Sequence, residues 1–218
     1  MNRIQDRSDV LARLAVSRET AERLDAYVSL LTHWQTIKNL VAPSTLDQIW
    51  SRHVLDSAQL LPLLGEARTL ADFGSGAGLP GLVLAILLAE QPHVTVHLVE
   101  SNGRKAAFLR EAARVTGAPT VVHAQRIEAF VASAPSGIEL ITARALAPLG
   151  DLLALSEGLL KSGTRALFLK GQDIEQELTE ATKSWRIKFE LIASLTDPTG
   201  RIVRIAAAER LASTTLVR

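Results

Sequence analysis

Cysteine is absent from the sequence altogether. That excludes disulfides, thiolate metal sites and cysteine nucleophiles together, and it suits a reducing compartment. A membrane-length apolar run is also missing: the longest, "LVLAILLA", falls far short of the ~20 residues that cross a bilayer. The opening "MNRIQDRSDVLARLAV" is too charged for a secretory signal. There is no internal repeat, no low-complexity tract and no linker rich in Gly, Ser or Pro. Nor is there a strong charge of one sign, since the formal net charge is +1, which neither demands nor excludes a nucleic-acid partner. A soluble, cytoplasmic protein without membrane or metal partners is expected.

What is present is enough for a packed core: 47% of the 218 residues are hydrophobic and 22% charged. Length and composition suit one domain with an appendage. The character of the chain changes near residue 66. Before it, Leu24, Val28, Leu31 and Trp34 recur on one helical face, with Ser17 as a plausible N-cap. A second helical stretch is expected over roughly 49–64. Residues 1–65 therefore read as an N-terminal helical extension and 66–218 as the main domain, the two forming one compact unit that acts as a monomer.

After residue 66, strand patterns ("RTLADF", "VTVHLVE", "PTVVHA", "GIELITA", "TRALFLK") alternate with helical ones. Such alternation implies right-handed crossovers and a mostly parallel α/β sheet covered on both faces. The end breaks the rhythm. "SWRIKFELIASL" and "RIVRIAAA" are joined by "TDPTG", a turn with no room for a helix, so these strands should pair as a hairpin. The expected fold is a seven-stranded Rossmann-like sheet with an antiparallel last strand. Dinucleotide-binding domains do not usually end so; class I methyltransferases, which use S-adenosylmethionine, do.

The stretch "LADFGSGAGLPGL" joins the first strand to an apolar helix. Gly74, Gly76 and Gly78 permit positive φ and let backbone approach a ligand closely, at a helix N-terminus with free amides. Gly76-x-Gly78-x-x-Gly81 also satisfies the dinucleotide pattern, with Glu100 at a fitting distance, so an NAD(P)-binding oxidoreductase is the alternative. Three details favour S-adenosylmethionine. The turn begins at Gly74; Pro80 suits the first turn of a helix that starts before Gly81; and Asp72 places a carboxylate beside the loop, repelling a pyrophosphate but suiting a cationic ligand. Glu100, after the second strand, can accept from both ribose hydroxyls.

The segments "LLTHWQTIKNL", "RHVLDS", "DFGSGAGLPG", "ESNGRKAAFLR", "RIEAF", "ARALAPL" and "FLKG", in this order and spacing, resemble the ribosomal RNA small subunit methyltransferase G family. The likeness runs from about residue 26 to 206. These bacterial enzymes methylate N7 of a guanine in the decoding-region hairpin of 16S ribosomal RNA. The resemblance implies S-adenosyl-L-methionine as cofactor and 16S rRNA or the small ribosomal subunit as partner. It places Gly74, Leu79 and Arg144 at cofactor-contacting positions, with Ile127 and Glu128 flanking the adenine. Two departures stand out: Ala143 replaces a common Ser before that arginine, and "NLVAP" replaces Asn-Leu-Thr/Ser.

Guanine N7 carries a lone pair and no proton, so its attack on a sulfonium methyl requires no general base, only placement and exclusion of water. Absent cysteine excludes the covalent route to C5-methylpyrimidines, and no Asn/Asp-Pro-Pro-aromatic motif supports amine methylation. Arg144 and Lys170 follow the fourth and fifth strands at the ligand edge, where either could hold RNA phosphate or guanine O6; a salt bridge across the sheet edge is the other reading. His53 in "RHVLDS" either packs or caps beside Asp56 or touches substrate. Five basic residues against one acid between 101 and 126 make Arg104 and Lys105 candidate RNA contacts, or simply a solvated helix face. Trp34, Trp50 and Trp185 could stack bases, though Trp34 reads as core. His93 and His97 flank a strand, where i,i+4 spacing makes no metal site. A non-catalytic RNA-binding protein remains the rival outside the enzymes, and the intact glycine loop argues against it.

Overall fold

The computed structural model describes residues 3–212, so 213–218 of the expected main domain lie outside the described residues. Two helices open the chain, α1 (Arg3–Leu14) and α2 (Arg18–Gln35). Ser17 caps α2 by accepting from Thr20 N at 3.1 Å, and the apolar spacing buries Leu24, Tyr27, Val28 and Leu31 on one face.

The single helix expected over 49–64 is broken. Pro43–Gln48 forms a 3-10 segment, Trp50–Leu55 a π-helical turn, and Asp56–Ala58 the short α3, before a last 3-10 turn at Leu61–Leu63. The buried Asp6 carboxylate of α1 accepts from Trp50 N at 2.9 Å and Ser51 N at 3.2 Å, holding the start of the wide turn. Pro62 then removes a donor that an α-helix would need.

The rest alternates as expected: β1 (Thr69–Phe73), α4 (Gly81–Leu87), β2 (Thr95–Val99), α5 (Gly103–Thr116), β3 (Thr120–His123), α6 (Ile127–Ala132), β4 (Leu140–Arg144), α7 (Leu149–Lys161), β5 (Arg165–Lys170), α8 (Ile174–Ala181), β6 (Trp185–Ala193) and β7 (Arg201–Arg210). The sheet order is β3-β2-β1-β4-β5-β7-β6, with β1 to β5 parallel. β7 runs antiparallel between β5 and β6, closing the terminal hairpin. α4 starts at Gly81 itself, with Pro80 in the N-cap position, so the expectation of an earlier start is corrected.

Two apolar clusters cover the faces of the sheet. One unites Leu24 and Leu31 of α2 with Leu82 of α4, Phe108 of α5, and Leu70 and Val96 of the sheet. The extension thus packs into the same core as the sheet. The other cluster lies under α6, α7 and α8.

Candidate active site

β1 lies between β2 and β4 where strand order reverses, the place in an open α/β sheet where ligands sit beyond the carboxyl ends. The turn after β1 holds Gly74, Gly76 and Gly78 at φ +65°, +55° and +88°. A Cβ on Gly78 would meet Leu82 Cβ at 2.7 Å, and one on Gly74 would meet Leu146 Cδ1 at 2.6 Å. Gly78 is therefore required by contact as well as by conformation, whereas at Gly74 the positive φ decides, since the Leu146 methyl could turn aside.

Three neighbours hold the turn. Glu100 Oε2 accepts from Gly76 N at 2.9 Å and Oε1 from Asn102 N at 2.7 Å. Ser75 N donates to Val99 O at 3.1 Å. From behind, the buried Tyr27 hydroxyl donates to Ala77 O at 2.8 Å, and burial pushes its pKa up. The extension is thereby bonded to the glycine turn.

Asp72 does not sit beside the turn, as expected, but beneath it. It is fully buried within β1, which runs on to Phe73. Its Oδ1 accepts from Thr142 Oγ1 at 2.7 Å, while Oδ2 has no well-formed partner, although the nearby Gly81 amide favours the ionised form. Burial pushes this carboxyl up to about 6 against the opposing hydrogen bonds. A Cβ on Gly81 would meet Asp72 Cβ at 2.4 Å, so α4 crosses the strand only because Gly81 lacks a side chain. That is the packing role of the third glycine in the dinucleotide pattern, which explains why the pattern alone did not discriminate.

A cavity of about 380 Å³ opens at the turn, lined by Gly74, Glu100, Lys105, Ile127, Glu128 and Leu146 among others. Each Glu100 oxygen has one lone pair on an amide and keeps acceptor capacity for a hydroxyl, and Ile127 offers apolar contact, so the donor set fits a nucleoside. Leu79 is buried in the core at 5% exposure instead. Lys105 does not share the outer face with Arg104: one helical step separates them by about 100°, so Lys105 lines the cavity while Arg104 is exposed.

Arg144, at the end of β4, is gripped by the extension. Its NH1 donates to Asp56 Oδ2 at 2.8 Å and Arg52 O at 3.3 Å, and its NH2 lies 3.1 Å from His53 Nδ1. Guanidinium only donates, so Nδ1 accepts and the ring proton sits on Nε2, donating to Thr45 Oγ1 at 2.7 Å. Thr45 Oγ1 in turn donates to Ala42 O at 2.7 Å. Burial, with the Arg144 charge, lowers His53 to about 4. Both ring nitrogens are occupied and the residue is 7% exposed, which leaves neither nitrogen for substrate. Asp56 Oδ1 also accepts from Thr196 Oγ1 at 2.5 Å, so it binds the β6–β7 loop rather than capping a helix.

Lys170 is similarly occupied. Its ammonium lies 2.6 Å from Glu177 and donates to Ala147 O at 2.8 Å, strapping the 145–148 loop. That loop carries Ala145 at φ +49°, an uncommon conformation for a residue other than glycine. Ala145 and Leu146 line the first cavity and also a second one, of about 570 Å³, which reaches Arg52, Lys170 and Arg201. The two cavities share this wall.

The tryptophans are not free platforms. Trp34 Nε1 donates to Glu111 at 2.9 Å while its ring packs edge-on to Phe108, and Trp50 and Trp185 are 2% and 4% exposed. His97 pairs with His123 at 2.9 Å rather than with His93. Among the described residues no group of three or more His, Cys, Asp or Glu side chains could hold a metal, and no helix is long and apolar enough to cross a membrane. Sequence reasoning missed Tyr27, Thr45, Thr142, Leu146 and Thr196. Tyr27 alone carried a signal, as the single tyrosine of the chain on an apolar helix face.

Comparison with known proteins places these features among methyltransferases. The family model for rRNA small subunit methyltransferase G matches residues 20–198. A protein of a Bradyrhizobium strain named ribosomal RNA small subunit methyltransferase G is 55% identical over 205 residues, covering 94% of this chain and 92% of that one. Its namesake from Methylorubrum populi is 56% identical, covering 94% and 97%. Among solved structures, a putative O-methyltransferase from Klebsiella pneumoniae superposes with a TM-score of 0.60 at 12% identity, covering 92% and 95%. An O-methyltransferase from Bacillus cereus gives 0.56 at 14%, covering 83% and 90%. At these identities the structures speak for the fold alone, a class I methyltransferase sheet.

Proposed function

Because the chain belongs to the rRNA small subunit methyltransferase G family, we propose that it moves the methyl group of S-adenosyl-L-methionine to N7 of a guanine in 16S ribosomal RNA. It does so as a cytoplasmic monomer, on the RNA or on the small ribosomal subunit. The observation that carries this reading is the shared wall: a nucleoside-fitting cavity at the glycine turn meets a second, cation-lined cavity at Ala145 and Leu146.

The bound cofactor supplies an electrophilic methyl group on a sulfonium. Glu100 accepts from its ribose hydroxyls with the lone pairs left over from the turn, Gly74 and Gly76 let the backbone close on it, and Ile127 and Glu128 flank the adenine. Gly78 keeps the turn against α4, while Leu79 and Asp72 support it from the core. Arg144 is the group that meets the guanine, through O6 or the adjoining phosphate; donation to N7 itself would block attack. His53 and Asp56 are positioning residues that hold Arg144, and Lys170 positions the wall through Ala147 O. Leu146 forms part of the wall that the two cavities share. No proton is removed from N7, so the step requires no general base.

The test is incubation of the protein and methyl-labelled cofactor with free 16S rRNA and with small subunits, followed by mapping of the modified base. Label on guanine N7 in one of the two is expected. Label on another base, or none on either, refutes the proposal. NADH titration separates the oxidoreductase alternative, for which no binding is expected.

A further inference from the structure

The second cavity holds four cations in two different states. Arg144 is neutralised by Asp56 at 2.8 Å and Lys170 by Glu177 at 2.6 Å, with both side chains largely covered. Arg52 and Arg201 form no ion pair with a described residue. Arg52 is exposed in the π-helical turn. Arg201, at the start of β7, is oriented by its own loop: its NH1 donates to Gly200 O at 2.8 Å and to Pro198 O at 3.1 Å. Neutral carbonyls fix the guanidinium without cancelling its charge. Asp197 also lines the cavity; Thr199 N at 2.9 Å and Thr199 Oγ1 at 2.7 Å hold it ionised, and it offsets part of the Arg52 charge at longer range.

The two flanks differ in charge. Beyond Pro148 and Glu177 the cavity adjoins a groove of about 470 Å³ between α7 and α8, lined by Asp151, Asp173, Glu177 and Glu180 against the one cation Arg210. A polyanion is repelled there. On the other flank stand Arg52 and the β6–β7 loop. The basic residues of α5 do not adjoin this cavity, and the one that faces inward, Lys105, lines the cofactor cavity beside Glu100 and Glu128.

We infer that a single-stranded RNA segment enters the second cavity across Arg52 and Arg201, which take its phosphates, and stays clear of the α7–α8 face. This rests on the RNA methyltransferase reading above. Single-stranded RNA fits because a base must be splayed out to reach the wall at Leu146 while its backbone remains at the charged rim. The unpaired cations sit where phosphates would release counterions, so each contributes separately to the salt dependence of binding.

The test is fluorescence anisotropy with a labelled 16S rRNA fragment across a salt series, with the full-length protein and its variants Arg52→Ala, Arg201→Gln, Arg104→Ala and Glu180→Gln. For Arg52→Ala and for Arg201→Gln we expect RNA affinity to fall roughly 5- to 10-fold near 0.1 M salt, and the slope of log K against log salt to flatten by about one. Arg104→Ala and Glu180→Gln should change affinity less than about 2-fold. Calorimetry with S-adenosylhomocysteine should give wild-type binding for all four, which also reports an intact fold. Because the Arg52 side chain is exposed and forms no ion pair with a described residue, its variant stands even if Arg201→Gln misfolds. Wild-type affinity and slope in Arg52→Ala, in a protein that still methylates rRNA, overturns the inference alone, as does a loss carried by Arg104→Ala. A wild-type protein that methylates no rRNA overturns the function on which the inference rests.

Discussion

His53 and Asp72 are buried titratable groups of opposite sense, one at the Arg144 grip and one beneath the glycine turn. His53 is lowered to about 4, because burial and the Arg144 guanidinium disfavour the imidazolium. The unfolded chain therefore binds the proton more readily, and stability from this group is complete above about 6.5 and lost as pH falls toward 4. Asp72 is raised from 3.8 to about 6 by burial, so its ionised form is disfavoured in the fold and stability falls as pH rises through that interval. Each effect is bounded at about 3 kcal/mol, and in the wild type they oppose each other between pH 4 and 6.5. Asp72→Asn should therefore give an unfolding free energy that climbs more steeply with pH over this range than wild type. His53→Gln should give one that declines. Urea denaturation at several pH values checks both signs, and parallel profiles for the two variants would contradict the assignment.

At the scale of elements, the 145–148 loop decides how the two cavities meet. It is held at one end by β4, where Arg144 is fixed by three acceptors, and in the middle by Lys170 on Ala147 O. Since the Lys170 ammonium already lies against Glu177, removing both charges together should act through the loop and not through RNA charge. Lys170→Met combined with Glu177→Gln is expected to lower kcat at least 10-fold while RNA affinity and its salt slope change less than about 2-fold, because no phosphate contact is lost and the net charge is unchanged. Steady-state kinetics with the anisotropy series distinguishes this from a phosphate contact, which would flatten the slope. The strands, the helices that join them and the terminal hairpin were legible in the sequence, because hydrophobic period and turn residues act within a few positions of one another. The region 43–64 was not. The start of its π-helical turn is held by Asp6, more than forty residues earlier, whose carboxylate takes the Trp50 and Ser51 amides.

At the scale of the whole molecule, the extension is structural and functional at once. Leu24 and Leu31 share a core with β1 and α5, Tyr27 supports the glycine turn, and Asp56 ties Arg144 to the β6–β7 loop. Removing 1–65 would expose that apolar face and leave the Arg144 charge unpaired, each a recognised cause of severe destabilisation. The truncated chain 66–218 is expected to be insoluble or to lack a cooperative melt, as expression and circular dichroism would show. A soluble fragment with a wild-type-like transition would mean that the sheet folds without its extension.

The glycine turn, Glu100 and the antiparallel end could be read from the chain alone, since each depends on residue types at short spacing, and with them came the class of cofactor. Which way Asp72 faces, which nitrogen of His53 carries the proton, and which cations remain unpaired were decided only by the tertiary structure. Arg144 meets Asp56 across 88 positions, and Asp56 meets Thr196 across 140. Contacts of that separation follow from strand order and from the packing of the extension on the sheet, and no local pattern encodes them.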